Sequence, residues 1–342
     1  MNGKPFKRGK RIFTMVILDL LSFGAALLVF AYFHHVRQRP LAPVAAVTGT
    51  PVPTVTPAPT PVQTETDGTA AETPAPTEVP TGLLGGKYAE KFSQGGVIFT
   101  DTEYRSKNAA LELRTEFLYE SRIHIVDIYL QDIACFQTAV YDQFGTETLR
   151  TREMARLTPA IAALSGDYFS AHMNHSMCII RNGQFYMDKQ PDKYDTCVLY
   201  EDGVMETLAE EDFDREAVLA RGAYQVWCFG PALLDGEGKA IPSFKGSTIR
   251  TNNPRSAIGY YEPGHYCFVM VEGRSDTSEG ITLEDFSAFF ESLGCKAAYN
   301  LDGGKTAELV WNGELVNERL TGGRSVSDIL IIVDTEEGGG AQ

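Results

Sequence analysis

The side chains best suited to chemistry lie close together near the C-terminal end of the chain. A predicted strand over residues 297–301 runs into a turn with two glycines, and the polar side chains of this stretch are Asn300, Asp302, Lys305 and Thr306. Asn300 and Asp302 alternate with apolar residues, so they share one face of the strand. Gly303 and Gly304 allow the backbone to approach a ligand closely. A carboxylate, an amide, a cation and a hydroxyl at this spacing predict a polar binding site. An Asp-Gly hairpin turn is the alternative.

The Gly-Lys-Thr sequence at 304–306 also ends the nucleotide-binding P-loop motif, but the rest of that motif is missing. Tyr299 stands where the motif requires its first glycine. Residues 307–311 predict a strand instead of the helix that must follow a P-loop, and Asn312-Gly313 then predicts a hairpin turn. The sequence therefore excludes a P-loop at this position.

Four arginines occupy polar connections next to predicted strands: Arg250, Arg255, Arg274 and Arg324. Arg274 follows the predicted strand at 266–271 and precedes a predicted helix, whose N-terminus favours anions. Its guanidinium has the planar geometry that suits phosphate. An ion pair between Arg274 and Glu272 is the alternative. A packed core does not require this arrangement, so the arginines predict a local site for a phosphate-bearing ligand.

Hydrophobic periodicity predicts an α+β fold, a single mixed and strand-rich domain over residues 86–335. Strands are predicted over 122–130, 160–164, 178–180, 185–186, 196–200, 204–208, 257–261, 266–271, 307–311, 314–316 and 328–333. Residues 147–157 and 282–293 predict helices. Thr282, Asp285 three positions later and Gly294 give the second helix the clearer boundaries. Roughly 250 residues suit one domain with a full core.

The segments on either side of this domain differ from it. Residues 12–33 form an apolar run long enough for a transmembrane helix, and five lysines and arginines precede it. The positive-inside rule then predicts a cytoplasmic tail at 1–11 and an extracellular domain on a single-pass protein of the cell membrane. A cleaved signal peptide is the alternative. Residues 34–85 predict a disordered linker rich in Thr and Pro, and residues 336–342 a disordered tail.

Charge and cysteine content exclude several classes of partner. The chain has 30 basic and 45 acidic residues, of which residues 1–39 hold seven and one, so the remainder carries a net charge of −21. Such a surface does not attract nucleic acid through its overall field. The six cysteines lack paired spacing and no histidine pair has metal-ligand spacing, so neither a metal site nor a cofactor is predicted.

Seven short motifs, spread in order over residues 165–325, carry a family resemblance. They are Ser-Gly-Asp-Tyr-Phe at 165–169, Phe-Gly-Pro-Ala-Leu at 229–233, Asn-Pro-Arg-Ser-Ala-Ile-Gly at 253–259, Glu-Gly-Arg at 272–274, Gly-Ile-Thr-Leu at 280–283, Asn-Leu-Asp-Gly-Gly at 300–304 and Gly-Arg-Ser at 323–325. Together they resemble the phosphodiester glycosidase family, whose bacterial members include proteins of the exopolysaccharide biosynthesis type. Three departures stand out. Ser165 replaces Asn, Glu272 replaces Asp, and Lys305-Thr306 replaces Gly-Ser.

The resemblance implies hydrolysis of a sugar-1-phosphodiester in a cell-envelope or extracellular glycopolymer. Asp302 is the expected catalytic carboxylate, with Glu272 second, and Arg274 the expected catalytic cation. Expected substrate-binding residues are Arg255 and Lys305 at the phosphate, Asn300, Asp167 and Thr306 at sugar hydroxyls, Arg324 between the loops, and Ser256, Gly303 and Gly304. We expect six of these residues to surround one cleft: Asp167, Arg255, Glu272, Arg274, Asp302 and Arg324.

Two other functions fit the same residues. The first is a non-catalytic protein that binds or assembles envelope glycans. The second is a metal-assisted phosphodiesterase that uses Asp302, Glu272 and Asp167. A Ser-His-Asp hydrolase fits the sequence less well than either of these, because the chain has no Gly-x-Ser-x-Gly motif.

Overall fold

A computed structural model describes residues 82–142, 147–167, 169, 174–245, 247–318 and 323–335. The predicted cytoplasmic tail, the predicted transmembrane helix at 12–33, residues 34–81 of the predicted linker and the tail at 336–342 lie outside this part of the chain. Within the described residues, no helix combines the length and the apolar character that a membrane span requires.

The described part of the chain is rich in strands and has few helices, which agrees with the predicted α+β class. The strands are β1 Ile98–Phe99, β2 Glu103–Arg105, β3 Ala109–Leu118, β4 Ser121–Leu130, β5 Phe136–Val140, β6 Ala162–Ser165, β7 Cys178–Arg181, β8 Gln184–Asp188, β9 Thr196–Tyr200, β10 Met205–Leu208, β11 Ala223–Cys228, β12 Arg255–Glu262, β13 His265–Val271, β14 Ala297–Asn300, β15 Leu309–Trp311, β16 Glu314–Leu315 and β17 Asp328–Ile332. The α-helices are α1 Thr151–Ala155, α2 Arg215–Ala220 and α3 Leu283–Leu293.

The strands form three sheets. The largest has seven strands in the order β1-β2-β3-β4-β13-β12-β14, and the other two have the orders β10-β9-β11-β7-β8 and β16-β15-β6-β17-β5. Neighbouring strands are antiparallel throughout these three sheets. The site described below is built at the ends of β12, β13 and β14.

The seven-stranded sheet is buried on both faces at its centre, which explains why β13 is continuously apolar. Phe268 and Met270 face a core shared with the two smaller sheets, whereas Val269 and Val271 face a second core beneath α3. The sequence predicts a half-buried strand over 122–130. The observed β4 is instead largely buried, because Ile123 and Ile125 face the second core while Val126 and Ile128 face the core shared with the smaller sheets.

Helix α3 confirms the helix predicted at 282–293. The Thr282 hydroxyl accepts a hydrogen bond from the Asp285 amide (3.0 Å), and Gly294 ends the helix in the left-handed conformation, with φ 81°. Phe286 and Phe290 pack one face of the helix into the second core. This cap satisfies an otherwise unpaired amide of the first turn.

The helix predicted at 147–157 is shorter than expected. The α-helix covers only Thr151–Ala155, because Leu149 forms an antiparallel bridge with Val326 and Arg150 keeps extended backbone. A tertiary pairing that the local pattern does not encode therefore replaces the first helical turn.

Candidate functional site

A cleft of roughly 440 Å³ opens where β12 begins and where β13 and β14 end. Eight of the residues predicted from sequence line it: Arg255, Arg274, Asn300, Asp302, Gly303, Gly304, Lys305 and Arg324. Four connections that are distant in sequence supply these residues, so the fold brings most of the predicted site together. Four other predicted residues are absent from the described lining: Asp167, Ser256, Glu272 and Thr306.

Asp302 lies two residues after the end of β14 and is largely buried, with 6% of the residue exposed. Its Oδ2 accepts a hydrogen bond from Nη2 of Arg324 (2.7 Å), and its backbone amide donates to the Gly166 carbonyl (3.0 Å). Burial raises the pKa of the Asp302 carboxyl, and Arg324, the Thr306 hydroxyl and the Gly303 amide offset only part of this rise. A carboxylate with a raised pKa at the wall of a cleft can accept a proton or attack an electrophile.

The two glycines after Asp302 are required by close backbone packing. A Cβ on Gly303 would lie 2.6 Å from the Pro254 carbonyl oxygen. Gly304 has φ +62°, and its amide donates to the same carbonyl (2.8 Å). Only glycine has no steric cost in both settings. This turn brings Lys305 to the cleft.

Three exposed cations line the cleft near Asp302: Arg274, Lys305 and Arg324. The Arg274 guanidinium donates to Oδ1 of Asn253. It also packs beside Gly304, where a Cβ added to the glycine would lie 3.3 Å from Nη1 of Arg274. Arg274 has φ +59°, an unfavourable conformation for a residue with a long side chain. The Arg324 backbone amide donates to the Lys305 carbonyl (2.9 Å), which joins the two loops. The cluster can bind an anion.

Asn300 supplies a polar group that the protein does not fully satisfy. The residue is 1% exposed, and its Nδ2 donates to the Gly230 carbonyl (2.8 Å). Its Oδ1 is buried and has no hydrogen-bond partner among the described residues. An unpaired buried acceptor is costly, which indicates a place for a ligand hydroxyl.

Arg255 has a different environment from the other cations. It is 3% exposed, its Nε donates to the Ile281 carbonyl (3.0 Å), and its Nη2 donates to the carbonyls of Ile249 and Thr251. Burial lowers the pKa of Arg255 to about 10. Its bonds hold the backbone of two connections at the cleft wall. Sequence reasoning assigned it to phosphate, whereas these contacts make it a support for the loops.

Ser256 and Thr306 lie beneath the cleft. The hydroxyls of Ser256 and Ser165 are 2.7 Å apart, and the Ser165 hydroxyl lies 3.4 Å from the Asp302 carbonyl. The Thr306 hydroxyl donates to the Gly303 carbonyl (2.6 Å). Both residues are buried and absent from the described cleft lining, and their hydrogen bonds hold the turn after β14.

Asp167 does not face the cleft, which corrects the expectation that it binds sugar. Its side chain is fully buried, with Oδ2 accepting from Nη2 of Arg181 (2.8 Å) and from the Cys228 amide (2.9 Å), and Oδ1 accepting from the Phe169 amide (3.1 Å). Arg181 also pairs with Asp328 (2.8 Å). A buried cation between two carboxylates is a structural network, because each charge must be neutralised away from water.

Glu272 also lies outside the described cleft lining, although it is only two residues from Arg274. Its Oε1 lies 2.9 Å from Nε2 of His124 and accepts from the Glu318 amide (2.9 Å). Burial by itself raises the pKa of the Glu272 carboxyl, but the hydrogen bonds from His124 and the Glu318 amide outweigh burial and hold that pKa below its usual value. Asp167, Glu272 and Asp302 thus occupy three different environments, so the fold does not bring together the three carboxylates that the alternative of a metal-assisted phosphodiesterase requires.

We expect Glu272→Gln to lower stability at neutral pH. An acid whose pKa is depressed by folding stabilises the protein above its unfolded pKa, about 4.3 for Glu, and this contribution is lost as the pH falls through the folded value. The difference in thermal unfolding midpoint between wild type and variant should therefore be largest near neutral pH and shrink below about pH 4. Glu318→Gln, which changes an exposed carboxylate of the same cluster, is the control and should have little effect. A difference that stays constant from pH 7 to pH 3 would contradict this role.

The structure adds seven cleft residues that sequence reasoning did not select: Phe229, Thr248, Ile249, Thr251, Asn253, Pro254 and Leu301. Phe229 and Asn253 belong to two of the recognised motifs, so the motifs could have identified them. Thr248, Ile249 and Thr251 lie in a connection without regular structure, where no periodicity marks the inward-facing side. Within the part of the chain that the structure describes, no group of three or more His, Cys, Asp or Glu side chains could hold a metal ion.

Comparisons with known proteins found similarity both in sequence and in fold. The family model described as phosphodiester glycosidase matches residues 158–333, which are 176 of the 342 residues. The SPbeta prophage-derived uncharacterized protein YomE of Bacillus subtilis (strain 168) is 29% identical over 195 residues, 55% of this chain and 30% of that protein. The chain therefore spans less than a third of the length of this relative.

Among solved structures, this chain is similar to the catalytic domain of zebrafish N-acetylglucosamine-1-phosphodiester alpha-N-acetylglucosaminidase, auto-inhibited by its pro-peptide. The TM-score is 0.52 at 18% identity, over 66% of this chain and 83% of the zebrafish chain. At this identity the similarity concerns the fold alone.

Proposed function

Because the chain belongs to the phosphodiester glycosidase family, as its motifs predict, we propose that it hydrolyses a sugar-1-phosphodiester at the bond between the anomeric carbon and the phosphate oxygen. One observation carries the proposal. A buried carboxylate with a raised pKa, Asp302, shares a cleft with three exposed cations, Arg274, Lys305 and Arg324. Asn300, whose side-chain Oδ1 has no hydrogen-bond partner among the described residues, lines the same cleft.

The charges of the cleft suit this reaction. When the anomeric bond breaks, the phosphate monoester leaves with the bonding electron pair and gains negative charge. Arg274, Lys305 and Arg324 would stabilise that charge, and a phosphate leaving group needs less proton donation than an alcohol. The sugar develops positive charge at the anomeric carbon, which a nearby carboxylate stabilises.

Asp302 is the one carboxylate among the described residues that line the cleft. In the proposed step it accepts a proton from the water that attacks the anomeric carbon, or it attacks that carbon itself and the resulting ester is then hydrolysed. The ion pair with Arg324 affects both routes, because it lowers the basicity of the Asp302 carboxylate. Arg324 has half of its side chain exposed, against 8% for Asp302, so it can turn toward a bound phosphate. Loss of this partner would make the Asp302 carboxylate more basic.

The proposed substrate is a glycopolymer of the cell envelope or the extracellular space, and the proposed location is the cell membrane. Support comes from the sequence: the apolar run at 12–33, the basic residues before it and the Thr/Pro-rich segment after it. The cleft can hold a phosphodiester of one or more sugars, and its cations supply the charge that the net acidic domain lacks overall.

The direct test is release of free sugar by the purified full-length protein from synthetic phenyl diesters of α- and β-N-acetylglucosamine 1-phosphate and glucose 1-phosphate. The proposal expects free sugar and phenyl phosphate in equal amounts. If no diester releases sugar while the protein still binds envelope glycans, the non-catalytic binding alternative is correct.

We expect Arg274→Ala to lower kcat/KM for such a diester roughly 10- to 100-fold, because hydrogen bonds to charged groups contribute about 1.5–3 kcal/mol. Arg274 would contact the phosphate both in the bound substrate and in the transition state, so KM should rise and kcat should fall. Arg215→Ala is a matched control, since Arg215 pairs with Asp188 on the surface and does not line the cleft. Unchanged kinetics for Arg274→Ala would remove this residue from the site.

A further inference from the structure

A second pocket of roughly 420 Å³ adjoins the cleft, and three residues line both: Phe229, Thr248 and Ile249. Lys193, Tyr194, Asp195 and Ser247 are among the residues that line only the second pocket. We propose that this pocket is a second sugar subsite, so that the substrate is an oligosaccharide 1-phosphodiester. This inference rests on the proposed function and specifies its substrate class.

The position of the pocket indicates which part of the substrate it would hold. The Arg274 guanidinium contacts Asn253 and lies beside Gly304 at one part of the cleft. Asn300 is at another part, where its Nδ2 donates to the Gly230 carbonyl, and Gly230 lines the second pocket. A substrate with its phosphate at Arg274 and its reacting sugar between Asp302 and Asn300 therefore extends past Phe229 on the side away from the phosphate. That side carries the next sugar of the chain.

The lining of the second pocket suits a pyranose ring. Tyr194 supplies an aromatic ring of the kind that packs against the C–H groups of a sugar, and the Lys193 ammonium lies 4.9 Å from the centroid of this ring. A carboxylate and hydroxyls bind the hydroxyl groups of a sugar. Asp195, whose Oδ2 also accepts a hydrogen bond from the Ala232 amide (3.0 Å), supplies the carboxylate, and Ser247 and Thr248 supply the hydroxyls. The pocket has one carboxylate and one lysine, unlike the three-cation cluster of the cleft, so it does not have the charge of a second phosphate site.

The pocket and the cleft share one hydrogen-bonded support. The Tyr299 hydroxyl donates to the Asp195 carbonyl (2.6 Å) and accepts from the Phe229 amide (2.7 Å). Tyr299 precedes Asn300 on β14, so the strand that carries the cleft residues also holds the wall of the second pocket. These two hydrogen bonds fix the wall of the second pocket relative to the cleft, and so would fix the distance between two neighbouring sugars.

The test compares the phenyl diesters of N-acetylglucosamine 1-phosphate and of its β-1,4-linked disaccharide 1-phosphate, with the full-length protein. We expect the disaccharide diester to have a roughly tenfold higher kcat/KM, which corresponds to about 1.4 kcal/mol. Tyr194→Ala should abolish this preference and leave the monosaccharide value within a factor of two. Ser247→Phe, which fills the pocket without removing Tyr194, should do the same. Phe185→Ala is the control, because Phe185 is an exposed aromatic that lines neither pocket.

Two results would overturn the proposal: a wild type without disaccharide preference, or variants that slow both diesters equally. Binding of the free disaccharide, measured by calorimetry, separates the two proposals. If no diester is cleaved but wild type binds the disaccharide at least fivefold more tightly than Tyr194→Ala does, the hydrolase proposal fails and the sugar subsite stands. If diesters are cleaved but that difference in binding and the disaccharide preference are both absent, only the subsite fails.

Discussion

Replacing Asp302 with asparagine is expected to lower kcat for a sugar-1-phosphodiester roughly 10²- to 10⁴-fold, the range typical of a lost acid–base group. Asparagine keeps the size of the side chain and can still contact Arg324. It can neither accept the proton of the attacking water nor form an ester with the sugar. Release of free sugar under saturating substrate measures the effect.

The same substitution should leave stability equal or higher at neutral pH. Burial raises the pKa of Asp302, so ionisation of this carboxyl costs stability. A group with a raised pKa contributes its stability below the unfolded value of about 3.9, and that contribution is lost as the pH rises through the folded value. Asparagine does not ionise, so the thermal midpoint of the variant relative to wild type should rise from pH 3 to pH 7.

Asp276→Asn is the control for this pair of measurements, since Asp276 is exposed and does not line the described cleft. It should change neither turnover nor the pH dependence of stability. Wild-type turnover in Asp302→Asn would show that Asp302 is structural. The group that activates the attacking water would then have to be sought elsewhere in the protein.

Asp167→Asn is expected to lower the free energy of unfolding by about 3–5 kcal/mol, the cost of breaking a buried ion pair. The carboxylate accepts hydrogen bonds at both oxygens, from Arg181 and the Cys228 amide at one and from the Phe169 amide at the other. An asparagine must place its NH₂ group against one set of these donors. Urea unfolding at pH 7 measures the loss.

Kinetics of the same variant distinguish this role from the one expected from sequence. A residue that binds sugar hydroxyls would raise KM, whereas a structural residue leaves KM unchanged at temperatures where the protein is folded. Asp188→Asn breaks the exposed pair with Arg215 and should cost less than about 1 kcal/mol. A raised KM with unchanged stability in Asp167→Asn would restore the sequence-based interpretation.

The sequence by itself determined much of the local structure. Strand β13 at His265–Val271 and helix α3 at Leu283–Leu293 lie within one or two residues of their predicted bounds. Both depend on signals within the segment itself: a continuous apolar run for β13, and a cap and a terminal glycine for α3. The turn after Asp302 also follows from local chemistry, because its glycines are required where backbone packs on backbone.

The tertiary structure alone decided which polar side chains reach the cleft. Asp167 and Asp302 both follow buried strands and carry the same chemical group. Asp167, however, meets Arg181 and is enclosed, whereas Asp302 meets Arg324 at the cleft wall. Glu272 and Arg274 are two residues apart, yet Glu272 turns to His124, and the left-handed backbone of Arg274 directs that residue to the cleft. The burial and charge of each group depend on partners from distant parts of the chain, which no local pattern specifies.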